Sequence, residues 1–408
     1  MKKIKHLKRK QFNKTTIILM VILISLFPIV SPLQTYCATE KIYQLSEDMN
    51  STVIDELKEI DFSGLNSVVD EFNAKNSNIF SIENVKSKVY EIISGESAVN
   101  YSNFFAALFS NLVESVIKYL PMISLIIAIG VISNLLNGIK SKFNEKSTGD
   151  IISLVCFLTV VVLIVSIVST ITKSTGSAIG IMVKQMNIMF PIMLTLMTGL
   201  GATASVGVFK PVVAIISTYV ADFFNFVIVP LFTISFIFNI ISNMSTNIKL
   251  DKFNSFISSA FKWLVGLIFT LFFAIFSIQG IAVGKFDSLS IRTTKYTIKS
   301  YIPIMGGYLS DGMDLILSST MLIKNAVGLV GILMIISSIL SPLIEIVIFS
   351  LMLKLVSAVL QPMGNSKTSD FLSATAKSVS ILSTSIIAIG FMYLISVGLI
   401  MTTSNVVV

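Results

Sequence analysis

The hydrophobic pattern of this chain is dominated, after about residue 120, by apolar runs of about twenty residues or more. One helical crossing of a bilayer takes about 20 mostly apolar residues, because each residue advances a helix by about 1.5 Å. Short segments containing lysine, aspartate, asparagine or proline separate the runs. The predicted spans are 120–138, 151–172, 187–208, 211–243, 261–283, 301–323, 325–353 and 376–403.

Two of these eight segments fit a simple crossing less well than the others. The segment 187–208 contains Pro191 and the small-residue run GLGATASVG, and 301–323 is rich in glycine and carries two aspartates. The segment 187–208 is predicted either to cross fully or to re-enter. The segment 301–323 is predicted to be broken or re-entrant and to border a central cavity, because glycine permits a break in a helix. The sequence therefore predicts an all-α, polytopic membrane protein with about seven or eight transmembrane or re-entrant helices.

The N-terminal residues have the pattern of a signal peptide. Seven of the thirty lysines and arginines lie in the first fourteen positions, and a short apolar run follows. This order is typical of a secretory signal, so residues 1–38 are predicted to be removed by cleavage near Cys37–Ala38. The alternative is an uncleaved anchor. Cleavage would also remove His6, the chain's one histidine, and with it His-dependent triads, zinc proteases and haem ligation.

Residues 39–119 differ in charge from the rest of the chain. They hold thirteen acidic and six basic residues, a net charge of −7, and apolar residues recur at helical spacing. The stretch 101–118 is amphipathic, as in helices that lie at a membrane surface or pack on a neighbour. This region is predicted to be a small extracytoplasmic helical arm that docks a basic partner. The alternative is a solvated arm with no specific partner.

Composition supports the membrane assignment and excludes several other classes. The chain is 54% hydrophobic and 13% charged, whereas soluble domains carry about 25% charged residues. Two cysteines cannot form a disulfide framework. The net charge of +8 does not indicate nucleic-acid binding, because loss of the seven N-terminal charges leaves 23 basic and 22 acidic residues.

The distribution of basic residues predicts an orientation. The connector 284–300 carries four basic residues against Asp287, and cytoplasmic loops are enriched in lysine and arginine. It is therefore predicted to be a cytoplasmic loop, with the acidic arm outside. In this division, two helices and a connector occupy 120–186, and two membrane repeats occupy 187–283 and 301–408.

The two membrane repeats are predicted from proline, lysine and glycine residues that recur at matching positions. Five markers in the first copy recur in the second after 110 to 115 residues. Three crossings per copy would invert the second copy relative to the first, which is a known plan of transporters. The alternative is chance, because proline and lysine commonly separate spans. The marker pairs are Pro191 and Pro303, Lys210 and Lys324, Pro230 and Pro342, Lys262 and Lys377, and Gly280 and Gly390.

Ionisable residues inside the predicted spans are candidates for a transport cavity, since such residues are costly in a membrane and often functional. Asp311 and Asp314 are three residues apart and so share a helix face, and Lys210 or Lys324 is predicted nearby. Alternatively, the two aspartates occupy a water-exposed helix end and Glu345 pairs with a lysine across the bundle. The six candidates are Asp222, Asp311, Asp314, Glu345, Lys210 and Lys324.

No motif in the sequence indicates an enzyme. The Gly-x-Gly-Asp element of aspartyl intramembrane proteases is missing, and no glycine-rich loop ends in Gly-Lys-Ser/Thr as a P-loop would. The prediction is a non-enzymatic protein without catalytic residues, cofactor or metal. Energy for transport would come from a partner or a gradient.

Four short runs in the sequence are distinctive: FPIMLTLMTGLG at 190–201, LSDGMD at 309–314, LIKNAVGLVGI at 322–332 and QPMG at 361–364. These runs resemble the stage III sporulation protein AE family of endospore-forming bacteria. The resemblance covers roughly residues 105 to 408. It implies a permease-like component, in the mother-cell membrane around the forespore, of the channel that joins the two cells.

The resemblance also implies partners, but it supplies no catalytic residues. The implied partners are a cytosolic secretion-type ATPase, ring-forming membrane proteins and small membrane subunits. Two other functions stay open: a stand-alone secondary transporter that uses Asp311, Asp314 and Glu345, and a scaffold that recruits ring-forming proteins through its acidic arm.

Overall fold

The computed structural model describes residues 47–75, 82–95, 101–140, 146–244, 250–301 and 305–403. The predicted signal peptide and its cleavage site lie outside these residues. The chain divides into two compact units, 1–51 and 52–408, and of the first the structure describes only the start of one helix. Every regular element within the described residues is helical, which confirms the all-α fold class.

Within the described residues, three short helices form the arm and seven longer helices follow. A π-helical segment, Phe224–Ile228, joins α6 to α7 without a break. The arm helices are α1 Glu47–Glu59, α2 Ser63–Lys75 and α3 Val85–Ile93. The others are α4 Tyr101–Lys140, α5 Lys146–Gly199, α6 Thr203–Phe223, α7 Val229–Met244, α8 Asp251–Tyr301, α9 Gly306–Leu360 and α10 Ser366–Thr402.

Six helices in the described part of the chain are long and apolar enough to cross a membrane, when α6 and α7 are taken as one. The sequence predicts seven or eight spans because two helices each contain two apolar runs. Helix α5 joins 151–172 to most of 187–208, and α9, which begins at Gly306, joins most of 301–323 to 325–353. The predicted break within 301–323 is therefore wrong from Gly306 onward.

Polar residues between the apolar runs stay inside these helices because they find partners in other parts of the fold. Lys184 in the middle of α5 donates to Glu71 of the arm at 2.8 Å, and Lys324 in α9 donates to the backbone of Thr403. The loop predicted at 284–300 is likewise the C-terminal part of α8.

Helix α9 is the centre of the bundle. It packs against α4, α5, α8 and α10, and half of its most apolar window is buried within the protein. A short turn at 361–364 reverses the chain into α10, and Gly364 adopts a φ of 80° there, which favours glycine. The hydroxyl of Ser357 donates to the carbonyl of Ser369 at 2.8 Å, which holds the two helices together beside the turn.

Three glycines let α9 approach α5 and α10 closely. A Cβ on Gly328 would overlap Met401 of α10, and one on Gly331 would overlap Met189 of α5. On the opposite side, Gly390 of α10 receives the side chain of Ile339. Small residues allow such contact between membrane helices, so these positions explain part of the run at 322–332.

The acidic arm folds back onto the bundle. Helix α2 packs on α5, and α3 packs on α9. Val68 of α2 is buried against Ile181 and Ile188 of α5. Apolar burial therefore fixes the arm to the C-terminal half of α5, and the arm's helices have a partner within their own chain.

Candidate functional site

One cluster of charge contacts between the long helices surrounds Glu345 of α9. Its Oε1 accepts hydrogen bonds from the Lys118 ammonium at 2.5 Å and the Tyr119 hydroxyl at 2.6 Å. Its Oε2 accepts a bond from the Ser174 hydroxyl at 3.1 Å. The side chain of Glu345 is 12% exposed and that of Lys118 is 51% exposed. We call these four residues the Glu345 cluster.

The Glu345 cluster connects three helices, because Lys118 and Tyr119 belong to α4 and Ser174 belongs to α5. An unpaired carboxylate in a span is costly, whereas charge-assisted hydrogen bonds are short and strong. The ring of Tyr119 also packs at 5.2 Å from the ring of Phe349, one turn beyond Glu345. Glu345 therefore pairs with a lysine across the bundle, which was one of the two sequence-based interpretations.

Lys324 secures the end of the last long helix. Its side chain is completely buried, and its Nζ donates to the carbonyl of Thr403 at 2.7 Å. The C-terminal carbonyls of a helix have no partner inside the helix and carry partial negative charge. The buried ammonium therefore caps α10, and this contact explains the lysine in the run at 322–332.

Asp311 and Asp314 lie at the start of α9 and have different surroundings. Asp311 is exposed, whereas the carboxylate of Asp314 pairs with the ammonium of Lys295 in α8. The counter-charge of Asp314 is thus Lys295, and the prediction that Lys210 or Lys324 compensates its charge is wrong. The bond joins α8 to α9 close to the connection between them.

The structure does not bring the predicted carboxylates together. Asp314 and Glu345 are 31 residues apart in one continuous helix, which places them about 46 Å apart at a rise of 1.5 Å per residue. One substrate site cannot include both carboxylates. The structure therefore divides the predicted cavity residues into separate positions along α9.

The other two candidates lie on the surface of α6. Lys210 and Asp222 are both exposed. In the repeat hypothesis Lys210 corresponds to Lys324, but Lys324 is completely buried and caps a helix. The side chains of Lys210 and Lys324 therefore have different surroundings.

A carboxylate that was not among the candidates fixes the start of α6. Asp287 of α8 is 3% exposed, and its two oxygens accept the backbone N–H groups of Ala204 and Ser205 at 3.1 and 3.0 Å. The first N–H groups of a helix need acceptors, and α6 has no side-chain cap of its own. In the sequence, the available signal for this role was that Asp287 is the single acidic residue of the basic segment 284–300.

Neutral polar side chains join α7, α8 and α10 in a second interior contact, which the sequence analysis missed. Asn239 donates to Ser378 at 2.6 Å and accepts from Asn254 at 2.6 Å. The hydroxyl of Ser235 bonds to both Asn254 and Ser378. Asparagine inside an apolar helix was the available signal, because such amides bond across membrane helices.

The arm places two of its carboxylates against the bundle and leaves others exposed. Glu56 accepts from the hydroxyls of Ser319 and Thr320 at 2.8 and 3.1 Å, and Glu71 pairs with Lys184. The exposed carboxylates are Asp55, Glu59, Asp61, Asp70 and Glu83. Hydrogen bonds from the hydroxyl and amide of Ser63 hold the pKa of Asp61 below its ordinary value.

The contacts described above hold helices together. Over the described residues, no group of three or more His, Cys, Asp or Glu side chains could hold a metal ion. The interior polar groups instead form bonds between α4, α5, α7, α8, α9 and α10.

Comparisons with known proteins place the chain in a family. The sequence model of the stage III sporulation protein AE family matches residues 83–404. The chain is also similar to the stage III sporulation protein AE of Bacillus subtilis strain 168. The two are 23% identical over 323 residues, which cover 79% of this chain and 81% of that protein. No solved structure matches the chain.

Proposed function

Because the chain belongs to the stage III sporulation protein AE family, we propose that it is a permease-like, non-enzymatic subunit of the channel that joins mother cell and forespore. It resides in the mother-cell membrane around the forespore, with its N-terminal arm outside the cytoplasm. It works there with a cytosolic secretion-type ATPase, ring-forming membrane proteins and small membrane subunits.

The observation that carries this proposal is the extent of the family match. Residues 83–404 include α3, which packs on α9, and all six helices that are long and apolar enough to cross a membrane. The whole helical bundle thus corresponds to the family, and a membrane subunit is the part of a channel complex that such a bundle can supply.

The arrangement of charges favours this function over a stand-alone secondary transporter. Such a transporter would gather Asp311, Asp314 and Glu345 around one substrate at the middle of the membrane. Asp314 and Glu345 instead form ion pairs with Lys295 and Lys118 and lie about 46 Å apart along α9. These charges fix helices relative to one another.

Flux of a small molecule distinguishes the two functions experimentally. The purified chain alone in proteoliposomes should show no uptake above that of empty vesicles. Sporulating cells that lack the chain should lose the supply of small molecules to the engulfed forespore. Saturable uptake by the chain alone would instead support the secondary transporter.

The exposed side of the arm is proposed to recruit a basic partner. Removing the whole arm would expose apolar residues of α5, including Ile181 and Ile188. A deletion variant would therefore not distinguish loss of partner recruitment from loss of folding. Neutralising exposed carboxylates that make none of the contacts described above keeps the arm folded. The substitutions are Glu59→Gln, Asp70→Asn and Glu83→Gln.

The neutralised variant should insert normally and recover less of the ring-forming partner in a pull-down from sporulating cells. The matched control is Glu56→Gln with Glu71→Gln, which removes two arm charges that face the bundle. Equal recovery of the partner by wild type and the neutralised variant would refute the recruiting role.

A further inference from the structure

An apolar groove that none of the contacts above explains lies between α6, α8 and α10. Its volume is about 420 Å³, and its walls are almost entirely hydrocarbon. The groove extends from Val212 to Phe223 along α6 and from Val265 to Ile275 along α8. Ala388 of α10 forms part of the wall. All three helices are candidate membrane spans.

The groove opens at the exposed surface of these candidate membrane spans. Four of its lining side chains are exposed: Ile215 by 57%, Tyr219 by 63%, Leu271 by 55% and Ile275 by 46%. The α10 side of its wall is buried, and Ala388 and Met392 there are 8% and 6% exposed. A molecule can therefore enter from the bilayer and lie along the groove.

The lining favours a flexible hydrocarbon chain over a transmembrane helix of another protein. Interfaces between membrane helices are enriched in small residues that let backbones approach. This groove is lined mainly by valine, isoleucine, leucine, phenylalanine and methionine, with Ser385 and Ala388 as its small residues. Large side chains leave a narrow channel, and a helix about 10 Å in diameter does not fit in it.

The shape of the groove depends on the π-helical segment. Pro230 has no N–H and cannot donate to the carbonyl four residues earlier. The helix widens just before it, and Val229 donates to Phe224, five residues earlier. Phe223 and Ile228, on either side of this wide turn, both line the groove. Such π-helical turns frequently occur at functional sites.

Charged residues lie beside one end of the groove. Helices α6 and α8 run antiparallel, since Asp287 caps the start of α6. The end of α6 therefore lies beside the N-terminal half of α8. Lys262 is three residues before Val265 and Asp222 is three after Tyr219, so each shares a helix face with a lining residue. Both charged residues are exposed.

We propose that this groove binds one acyl chain of a phospholipid whose headgroup carries a phosphate and a primary amine. Lys262 attracts the phosphate and Asp222 attracts the ammonium, while the chain lies along α6 and α8. The proposal concerns the isolated chain, and so it does not depend on the channel function.

Trp263 provides a built-in probe, because it is the single tryptophan of the chain and lies two residues before Val265. The full-length protein in detergent micelles is titrated with phosphatidylethanolamine that carries brominated acyl chains, which quench tryptophan fluorescence. Brominated phosphatidylglycerol and phosphatidylcholine are titrated in parallel. Native mass spectrometry of the same samples identifies the bound species.

Wild type should show saturable quenching, with phosphatidylethanolamine saturating at the lowest concentration. Ala388→Phe and Ser385→Leu each fill the groove and should raise the midpoint by roughly tenfold, which corresponds to about 1.4 kcal/mol. Ala274→Phe is the matched control, since Ala274 is exposed on α8 outside the lining. Lys262→Gln and Asp222→Asn should remove only the preference among headgroups.

Quenching that never saturates, or that is equal in wild type and both filled variants, would overturn the proposal. A second result would also overturn the proposal: native mass spectra in which Ala388→Phe loses a bound polypeptide that wild type retains, while neither protein binds phospholipid. The occupant of the groove would then be a partner helix.

Discussion

Separating Glu345 from Lys118 should destabilise the bundle more than separating an exposed ion pair does. Lys118→Met removes the counter-charge and keeps much of the apolar side chain. The carboxylate of Glu345 then retains its hydrogen bonds from Tyr119 and Ser174 without a cation. In Glu345→Gln the charge is removed from the other partner, and the double variant completes a thermodynamic cycle.

The exposure of the two side chains sets the expected magnitude. Breaking a buried ion pair costs about 3–5 kcal/mol, and exposed pairs contribute about 0–1 kcal/mol. Glu345 is 12% exposed but Lys118 is 51% exposed, so this pair lies between the two limits. We expect a coupling free energy of about 1–3 kcal/mol.

The assay is reversible unfolding of the purified protein in mixed micelles, with helicity followed by circular dichroism. The matched control is the cycle of Glu71→Gln and Lys184→Met, because that pair has a similar distance of 2.8 Å and side chains that are 32% and 57% exposed. Its coupling should stay below about 1 kcal/mol. A coupling at Glu345 no larger than that of the control would refute the reasoning.

Three further predictions test the local contacts. Asp287→Ala should lower the free energy of unfolding by about 1–2 kcal/mol and speed amide exchange at the start of α6; unchanged exchange would contradict the cap. Gly331→Leu should lower the melting temperature, because overpacking costs about 1–3 kcal/mol; an unchanged temperature would contradict close packing on Met189. The pKa of Asp61 is lowered on folding, so its stabilisation is present above the unfolded pKa and is lost as pH falls through the folded pKa. The protection factors of the α2 amides should therefore fall on acidification, and Asp61→Asn should abolish that fall.

The helical class and the location of the helices followed from the apolar runs, but the helix ends did not. An apolar run ends where a polar residue occurs, whereas a helix ends where its backbone loses partners. Lys184 and Lys324 interrupt the hydropathy of α5 and α9 without ending either helix. Their partners, Glu71 and Thr403, are 113 and 79 residues away in the sequence.

The sequence identified Glu345 as a costly charge, but its pairing with Lys118 joins residues 227 positions apart. Local spacing carries no information on such a pair. The bonds among Asn239, Asn254 and Ser378 were missed for a different reason. Neutral amides and hydroxyls carry no charge that marks them as costly inside a span, and they also occur in the connectors between spans.

The most direct test of the channel assignment is induced degradation of this protein in sporulating cells after the channel has assembled. Supply of a labelled small molecule to the forespore is measured together with retention of the ring-forming partners. If the chain is a permease-like subunit, supply should stop while the partners stay in place. Continued supply after the protein has been degraded would contradict the account and indicate a scaffold needed only for assembly.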